Sequence, residues 1–319
     1  EAILRVCLSR KTEELRAAPL LVELPKADNP ALKGQIMYML GRVGGERALE
    51  AIEKEIAGGD KDIQDAGIRA LAEWPTTEPA ELLFGLAENG KDIYRKAVAL
   101  LAFNQVVSYG SDKPMGVRVG MLERSLEFAR ANEVPKVEVD VFRKLPGFFA
   151  PEALELAKEN EGDEELGRFA KSAVPAIERG LDRLLEIAEV GGKIEAVRGV
   201  TAGDGIEYQS REGGGVIGDW ESEQATVTWL VRFLKEGTYV VKLDGAATAA
   251  MGGTVSVELA GSQLQGVVEK TGGEEVFTST KVGEVTIVEP GAYQLTVGAK
   301  KIEGEYLMLL RSIELEAKQ

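Results

Sequence analysis

The chain has 319 residues, 44% of them hydrophobic and 29% charged, which is the composition of a globular protein with one to three domains. Its 38 basic and 53 acidic residues give a net charge of −15, which repels phosphate backbones and argues against a nucleic-acid partner. No apolar run approaches the roughly 20 residues that a membrane helix needs, so we expect no membrane insertion.

Two absences limit the chemistry further. The sequence has no His, and Cys7 is its single Cys, so a disulfide within the chain, a CxxC redox motif and an ordinary zinc site are excluded. A Ser-His-Asp or Cys-His catalytic unit is excluded for the same reason. We therefore expect that the chain is not an enzyme, and that Cys7 is a small buried hydrophobe. Because the sequence begins with Glu1, we expect a mature product or an excised region.

The first 190 residues carry a helical apolar pattern that recurs. Apolar residues fall at offsets 0, 4, 7, 8 and 11, and the pattern starts at Leu32, Ile63, Ile93, Val134 and Leu166. These starts lie 31, 30, 41 and 32 residues apart. A helical pattern that returns about every 30 residues is typical of a solenoid, in which each helix pair needs its neighbours to bury its apolar face.

The chain order adds detail to this pattern. Residues 1–27 are predicted to be the remnant of a preceding repeat, and Asn29 followed by Pro30 predicts a helix start. Trp74 takes the last core offset before the break at Pro75, so we expect it to pack in the core rather than to bind a ligand. The segment NQVVSYGSDKPMG is predicted to be a loop insertion that either serves recognition or has only drifted in length. The segments VPKVEVDVFRKL and DEELGRFAKSAVPAIERGLDRLLEIAEV are predicted to be helical.

From Lys193 onward the apolar period changes from 3.6 to 2. Apolar residues alternate through short segments that are separated by Gly-rich or Pro-rich turns, at 225–233, 239–243, 255–259, 285–287, 293–297 and 313–315. Many short alternating strands with turn signals between them predict an antiparallel β-sandwich. We therefore predict two domains, an α-solenoid over 1–192 and a β-sandwich over 193–319.

Particular stretches resemble known families, and together they cover most of the chain. IRALAEWPTTEPAELLFGLAEN resembles the HEAT/armadillo-like repeat regions of large bacterial proteins, especially those of planctomycetes and verrucomicrobia. GDW at 218–220, ATVTWLVRFLKEGTYVVKL and EYLMLLRSIEL resemble the galactose-binding-like sandwiches of carbohydrate-binding module families 6 and 35. The resemblances imply a right-handed, HEAT-like α-α solenoid followed by a jelly-roll sandwich, in an exported bacterial protein.

The second resemblance implies a sugar platform at the loop end of the sandwich. It maps to Trp220 and Tyr208, whose ring faces would stack on a pyranose ring while neighbouring polar groups bind hydroxyls. The alternative for Trp220 is burial against a neighbouring loop or the solenoid. Trp229 is predicted to lie in the core, and Glu274 and Glu275 stand where the family often has a second aromatic residue.

The same resemblance implies a structural calcium site that begins at Glu195. Calcium takes six to eight oxygen ligands, so one carboxylate is not enough. Val197 stands where the family commonly has a second acid, and Arg311 and Ser312 stand near the position of the late acid. Apart from this calcium ion, no cofactor is expected.

These patterns favour a non-enzymatic interaction protein. The solenoid is expected to bind a protein partner, and the sandwich to contact glycan or another subunit. One alternative is a structural subunit of an extracellular filament or surface assembly, in which copies of the chain would self-assemble. Another is an accessory region of a larger hydrolase or cytochrome-like protein.

Overall fold

The computed structural model describes residues 2–8, 10, 12–211 and 214–318, and the chain divides into two units. The first unit comprises Glu1–Ser111, Val117–Phe148 and Glu152–Ile177, and the second comprises Asp112–Gly116, Phe149–Pro151 and Glu178–Gln319. The first unit is helical, and the second is built mainly from strands. In the described part of the chain, no helix is long and apolar enough to cross a membrane.

Eleven α-helices form within the described residues. They are α1 (Ala2–Leu8), α2 (Glu13–Glu23), α3 (Pro30–Val43), α4 (Glu46–Gly58), α5 (Lys61–Leu71), α6 (Ala80–Glu88), α7 (Ile93–Tyr109), α8 (Met115–Ala131), α9 (Pro135–Lys144), α10 (Pro151–Glu159) and α11 (Gly167–Leu181). Helix α3 packs on α5, α5 on α7, and α7 on α9. The N-terminal part is therefore helical, with alternate helices in contact.

Side-chain caps explain where several of these helices begin. The side chain of Asn29 accepts a hydrogen bond from the backbone N–H of Ala31 at 2.8 Å, which confirms the predicted start of α3. Asp92 accepts in the same way from the N–H of Arg95 at 2.8 Å and starts α7. The valine-rich segment that includes α9 is helical, as predicted, and Val137 lies in the core.

The long third repeat is mostly helix, so the predicted loop insertion is wrong in its larger part. Helices α7 and α8 have 17 residues each, against 11 in α5 and 9 in α6. Only residues 110–114 separate the two long helices. The 41-residue spacing therefore comes from extra helical turns.

Trp74 lies just beyond the end of α5 and is buried, and Cys7 is buried too. The predictions that these two side chains lie in the core are therefore confirmed.

A second recurring feature is an asparagine directly after the end of α6, α8 and α10. The side-chain amide of each donates to the backbone carbonyl four residues earlier, at Asn89, Asn132 and Asn160. A cation from an earlier helix also donates to two of these amide oxygens, Lys96 to Asn132 and Arg130 to Asn160. These contacts link consecutive helix pairs, and they form an internal repeat that is independent of the apolar offsets.

The second unit contains twelve strands within the described residues. They are β1 (Leu185–Ile187), β2 (Gly191–Glu195), β3 (Val200–Ala202), β4 (Glu207–Arg211), β5 (Gly214–Gly218), β6 (Thr226–Phe233), β7 (Gly237–Ala246), β8 (Gly253–Leu259), β9 (Ser262–Val267), β10 (Thr278–Ile287), β11 (Gly291–Ile302) and β12 (Leu309–Ala317). The front sheet has the order β10-β7-β12-β5-β4, with β2 also paired to β12. The back sheet has the order β1-β6-β11-β8-β9, with β3 also paired to β6.

The pairing of β1 corrects two predictions. Residues 185–187 fall in the segment predicted to be helical, yet they form a strand that pairs in parallel with residues 231–233 of β6. This pairing buries Ile187 in the sandwich core, which the end of a helix at that place would not do. Because the pair is parallel, the sandwich is mixed rather than purely antiparallel.

The core between the two sheets confirms the alternating pattern of the sequence. The inward residues of the predicted strands are all buried in one cluster, including Val227, Trp229, Val241, Leu295 and Ile313. Burying every second residue of a strand leaves the residues between them on the outer face of the sheet. The outer face of the front sheet therefore displays polar side chains in a fixed register.

Candidate functional site

Trp220 lies in the sandwich core and not on its surface. Its side chain is 0% exposed, and its indole N–H donates to the backbone carbonyl of Ala225 at 3.2 Å. It belongs to the same buried cluster as Trp229. A ring with no exposed face has no surface on which a pyranose can stack, so the sugar platform predicted at Trp220 is corrected to a core position.

The other two predicted site residues lie on strands of the front sheet. Tyr208 is on β4 and is 43% exposed, with its ring against the backbone of Gly215. Glu195 ends β2 with its side chain exposed, and its backbone carbonyl accepts from the indole N–H of Trp229 at 3.1 Å. Among the described residues, no group of three or more His, Cys, Asp and Glu side chains is placed to hold a metal ion. The structure therefore gives Glu195 no set of carboxylates with which to share calcium.

The outer face of the front sheet carries two ordered rows of polar residues. The first row is acidic or neutral and crosses four strands at Ser279, Asp244, Ser312 and Glu195. The second row is mainly basic and crosses the same strands at Lys281, Lys242, Glu314 and Lys193. Neighbouring strands lie about 4.8 Å apart, so each row places charged and hydroxyl groups at short, regular intervals.

Asp244 is the centre of this surface. It is 4% exposed even though it faces outward. Its Oδ2 atom accepts from the Nε of Arg311 at 2.8 Å and from the hydroxyl of Ser312 at 3.2 Å, and the Nζ of Lys193 lies 3.8 Å away. Taking a carboxylate out of water is costly unless cations and hydrogen bonds compensate it, and here both do. No described residue donates to its other oxygen, Oδ1.

A β-bulge directs Arg311 toward Asp244. The register of β12 against β7 shifts between Leu310 and Ser312, so Arg311 is the additional residue on its strand. Its guanidinium carbon lies 4.2 Å from the centre of the Phe277 ring, and its side chain is 41% exposed. The Nε of Arg311 therefore donates to Asp244, while the guanidinium plane stacks on an aromatic ring. Its two terminal nitrogens have no hydrogen-bond partner among the described residues.

A second arginine holds the loop that leads to Phe277. Arg211, on β4, donates to Gln209 at 2.9 Å and forms ion pairs with Glu274 at 3.0 Å and Glu275 at 3.4 Å. These two glutamates stand at the place where the family resemblance implies an aromatic residue. In the structure they fix the loop against the edge of the front sheet, which helps to keep Phe277 beside Arg311.

Asp244 and Phe277 were not predicted from the sequence, and neither was the pairing role of Arg311. One signal was present, because LLRSIEL places two polar residues in succession between apolar ones and so breaks the period of two. That break marks the bulge. The arrangement places a nearly buried carboxylate beside a partly exposed guanidinium on the outer face of the front sheet. Such a pair contains both an acceptor and donors for adjacent hydroxyl groups.

Comparisons with known proteins find a family match that falls within the second unit. A family profile described as "Domain of unknown function (DUF5077)" matches residues 201–319. A comparison with curated proteins finds no match. Among solved structures, the C-terminal family 6 carbohydrate-binding module of the laminarinase LamC from Zobellia galactanivorans is 21% identical, covers 39% of this chain and 98% of its own, and has a TM-score of 0.33.

Two other solved structures are similar over about the same share of this chain. A family 35 carbohydrate-binding module from Clostridium thermocellum is 10% identical over 40% of this chain and 98% of its own, with a TM-score of 0.35. The exo-β-1,3-galactanase of Phanerochaete chrysosporium, solved with β-1,3-galactotriose, is 22% identical with a TM-score of 0.33. That match covers 39% of this chain and only 29% of the galactanase. The C-terminal β-sandwich thus resembles carbohydrate-binding modules of families 6 and 35.

Proposed function

We propose that this chain is a non-catalytic binding protein whose β-sandwich binds carbohydrate on the outer face of the front sheet. The observation that carries the proposal is the buried carboxylate of Asp244 beside the bulged, partly exposed Arg311. Burying an acid on an outward face and aligning an arginine with it is costly for folding, and a structural role alone does not require the guanidinium to stay open to solvent.

The chemistry of the site suits a polyol. Adjacent hydroxyl groups of a sugar donate and accept at spacings that a carboxylate and a guanidinium can match in pairs. Here the Oδ1 of Asp244 is the acceptor and the terminal nitrogens of Arg311 are the donors. Phe277 supports the guanidinium from one side and limits its rotation, so fewer side-chain rotamers are lost when a ligand binds.

The helical unit is proposed to bind a protein partner, and the whole chain is proposed to be exported. The absence of His and the single Cys support a role without catalysis, because the common nucleophile and acid-base units cannot be built. The first ligands to try are cellotriose, with which a similar family 6 module was solved, and β-1,3-galactotriose, with which the galactanase was solved.

The test is a calorimetric titration of the full chain with cellotriose and β-1,3-galactotriose, after a glycan-array screen. Arg311→Gln keeps the length of the side chain and removes the charged fork, so we expect it to weaken binding about tenfold or more. Arg232→Gln is the matched control, because Arg232 is exposed on the back sheet and pairs only at 3.8 Å with Glu186. Its affinity should equal that of the unaltered chain.

Three outcomes would contradict the proposal. The first is that no glycan binds, and the second is that Arg311→Gln binds as tightly as the unaltered chain. The third is a large loss in Tyr208→Ala with none in Arg311→Gln, which would move the site to β4. Concentration-dependent assembly without any glycan binding would favour the structural subunit instead.

A further inference from the structure

The geometry points to a second binding site, on the helical unit, that takes the carboxylates of an acidic peptide segment. It consists of Arg143 near the end of α9 and of Arg168 and Phe169 near the start of α11. The guanidinium carbon of Arg143 lies 5.4 Å from the centre of the Phe169 ring, and that of Arg168 lies 4.5 Å from the same point. The two cations are therefore no more than about 10 Å apart.

Neither arginine is neutralised within the described residues. Both side chains are exposed, and their described contact is the half-buried Phe169 ring. The two adjacent cations form a locally basic patch on a chain that has 53 acidic and 38 basic residues. Two like charges that share one ring repel each other, so an anion that binds between them relieves this repulsion.

The nearest acids along the chain are directed elsewhere. Asp140, three residues before Arg143, accepts from the amide of Asn104 at 3.0 Å and lies 4.0 Å from Lys144. Asp163 accepts from the backbone N–H groups of Glu165 and Leu166, and these bonds lower the pKa of Asp163 below its ordinary value. Glu164 and Glu165 lie in the turn before α11, and neither forms an ion pair with Arg168 within the described residues.

The shape of the site favours carboxylates over other groups. A guanidinium is a planar fork that binds a carboxylate through two parallel hydrogen bonds, and stacking on a ring leaves the edge of that fork open. Two forks no more than about 10 Å apart can each meet one of two acidic side chains on one extended segment, because alternate residues of such a segment lie about 6.6 Å apart. The occupant is therefore an Asp- or Glu-rich segment of a protein partner.

This inference rests on the proposed role of the helical unit and names the chemistry of its partner. The probe is a fluorescein-labelled decapeptide of glutamate, titrated by fluorescence polarisation against the full chain at low and physiological salt. Arg143→Gln and Arg168→Gln should each weaken binding about tenfold, since each removes a charge-assisted contact. Arg143→Lys should recover only part of the loss, because an ammonium group lacks the fork.

The control variant is Arg69→Gln, which removes an exposed arginine from α5 and should leave the affinity within about twofold of the unaltered chain. Far-UV circular dichroism and melting temperatures confirm that the variants are folded. The inference is overturned if the peptide does not bind, if Arg69→Gln weakens binding as much as the site variants, or if inorganic phosphate displaces the peptide at equal concentration. Glycan titration of the same samples reports the proposed function separately, so either can fail alone.

Discussion

Replacing Trp220 with alanine should destabilise the sandwich rather than remove a sugar platform. The side chain is 0% exposed, its N–H bonds to the carbonyl of Ala225, and it packs with the large core cluster. Truncating a buried Trp to Ala costs about 3–5 kcal/mol of unfolding free energy, because both the transfer energy and the contacts around the new cavity are lost. At about 2–4 °C per kcal/mol, a loss of 4 kcal/mol lowers the melting temperature of this unit by about 8–16 °C.

The assay is calorimetric melting of the full chain, with the transition of the β unit followed by far-UV circular dichroism. Tyr208→Ala is the matched control, because its ring is 43% exposed and should cost less than about 1 kcal/mol. A Trp220→Ala chain that melts within about 2 °C of the unaltered one would refute the reasoning, since no fully buried indole behaves so. If that chain also lost glycan binding while folded, the sugar platform at Trp220 would be restored.

Two further predictions concern ion pairs and the asparagine repeat. Hydrogen bonds from Lys281 and Lys318 lower the pKa of Glu284 to about 2, so its contribution to stability is present above its ordinary pKa and is lost as the pH falls from about 4.5 through 2. Lys318→Met should raise that pKa in a carbon-13 NMR titration, and an unchanged value would disprove the pairing. Asn132→Ala removes the bonds to Phe128 and Lys96 and should cost about 1 kcal/mol in a urea titration, more than Asn89→Ala, which loses a single exposed bond.

The buried side of each domain could be predicted from the sequence because it is a local property of each element. Every second residue of the predicted strands lies in the sandwich core, and Asn29 with Pro30 starts a helix as expected. Hydrophobic period and capping chemistry act within one element, so no knowledge of its neighbours is needed. The length of each helix is harder to predict, because a long loop and extra helical turns increase the distance between two repeats by the same number of residues. For this reason the extra residues before Met115 were predicted to be a loop, although most of them are helical.

The short strand at 185–187 illustrates a different limit. RLLEIAEV has the apolar spacing of a helix, and three residues are too few to show a period of two. Their conformation is determined by pairing with residues 231–233, which lie more than forty positions later. The sequence of a segment this short therefore cannot decide between helix and strand, since the deciding hydrogen bonds come from another strand.

The candidate site is harder to predict than the core because it depends on register between distant strands. Asp244 and Arg311 are 67 residues apart in the chain, and they meet only because β7 and β12 pair with one bulge between them. Without that additional residue, the alternation of β12 would place Arg311 and Ser312 on opposite faces, and one of the two donors to Asp244 would be lost. The composition of each strand fixes its inward face, whereas the position of the bulge fixes which outward groups meet. An aromatic residue in a loop, such as Trp220, lacks both constraints, so only its three-dimensional neighbours decide whether its ring is buried or open to a ligand.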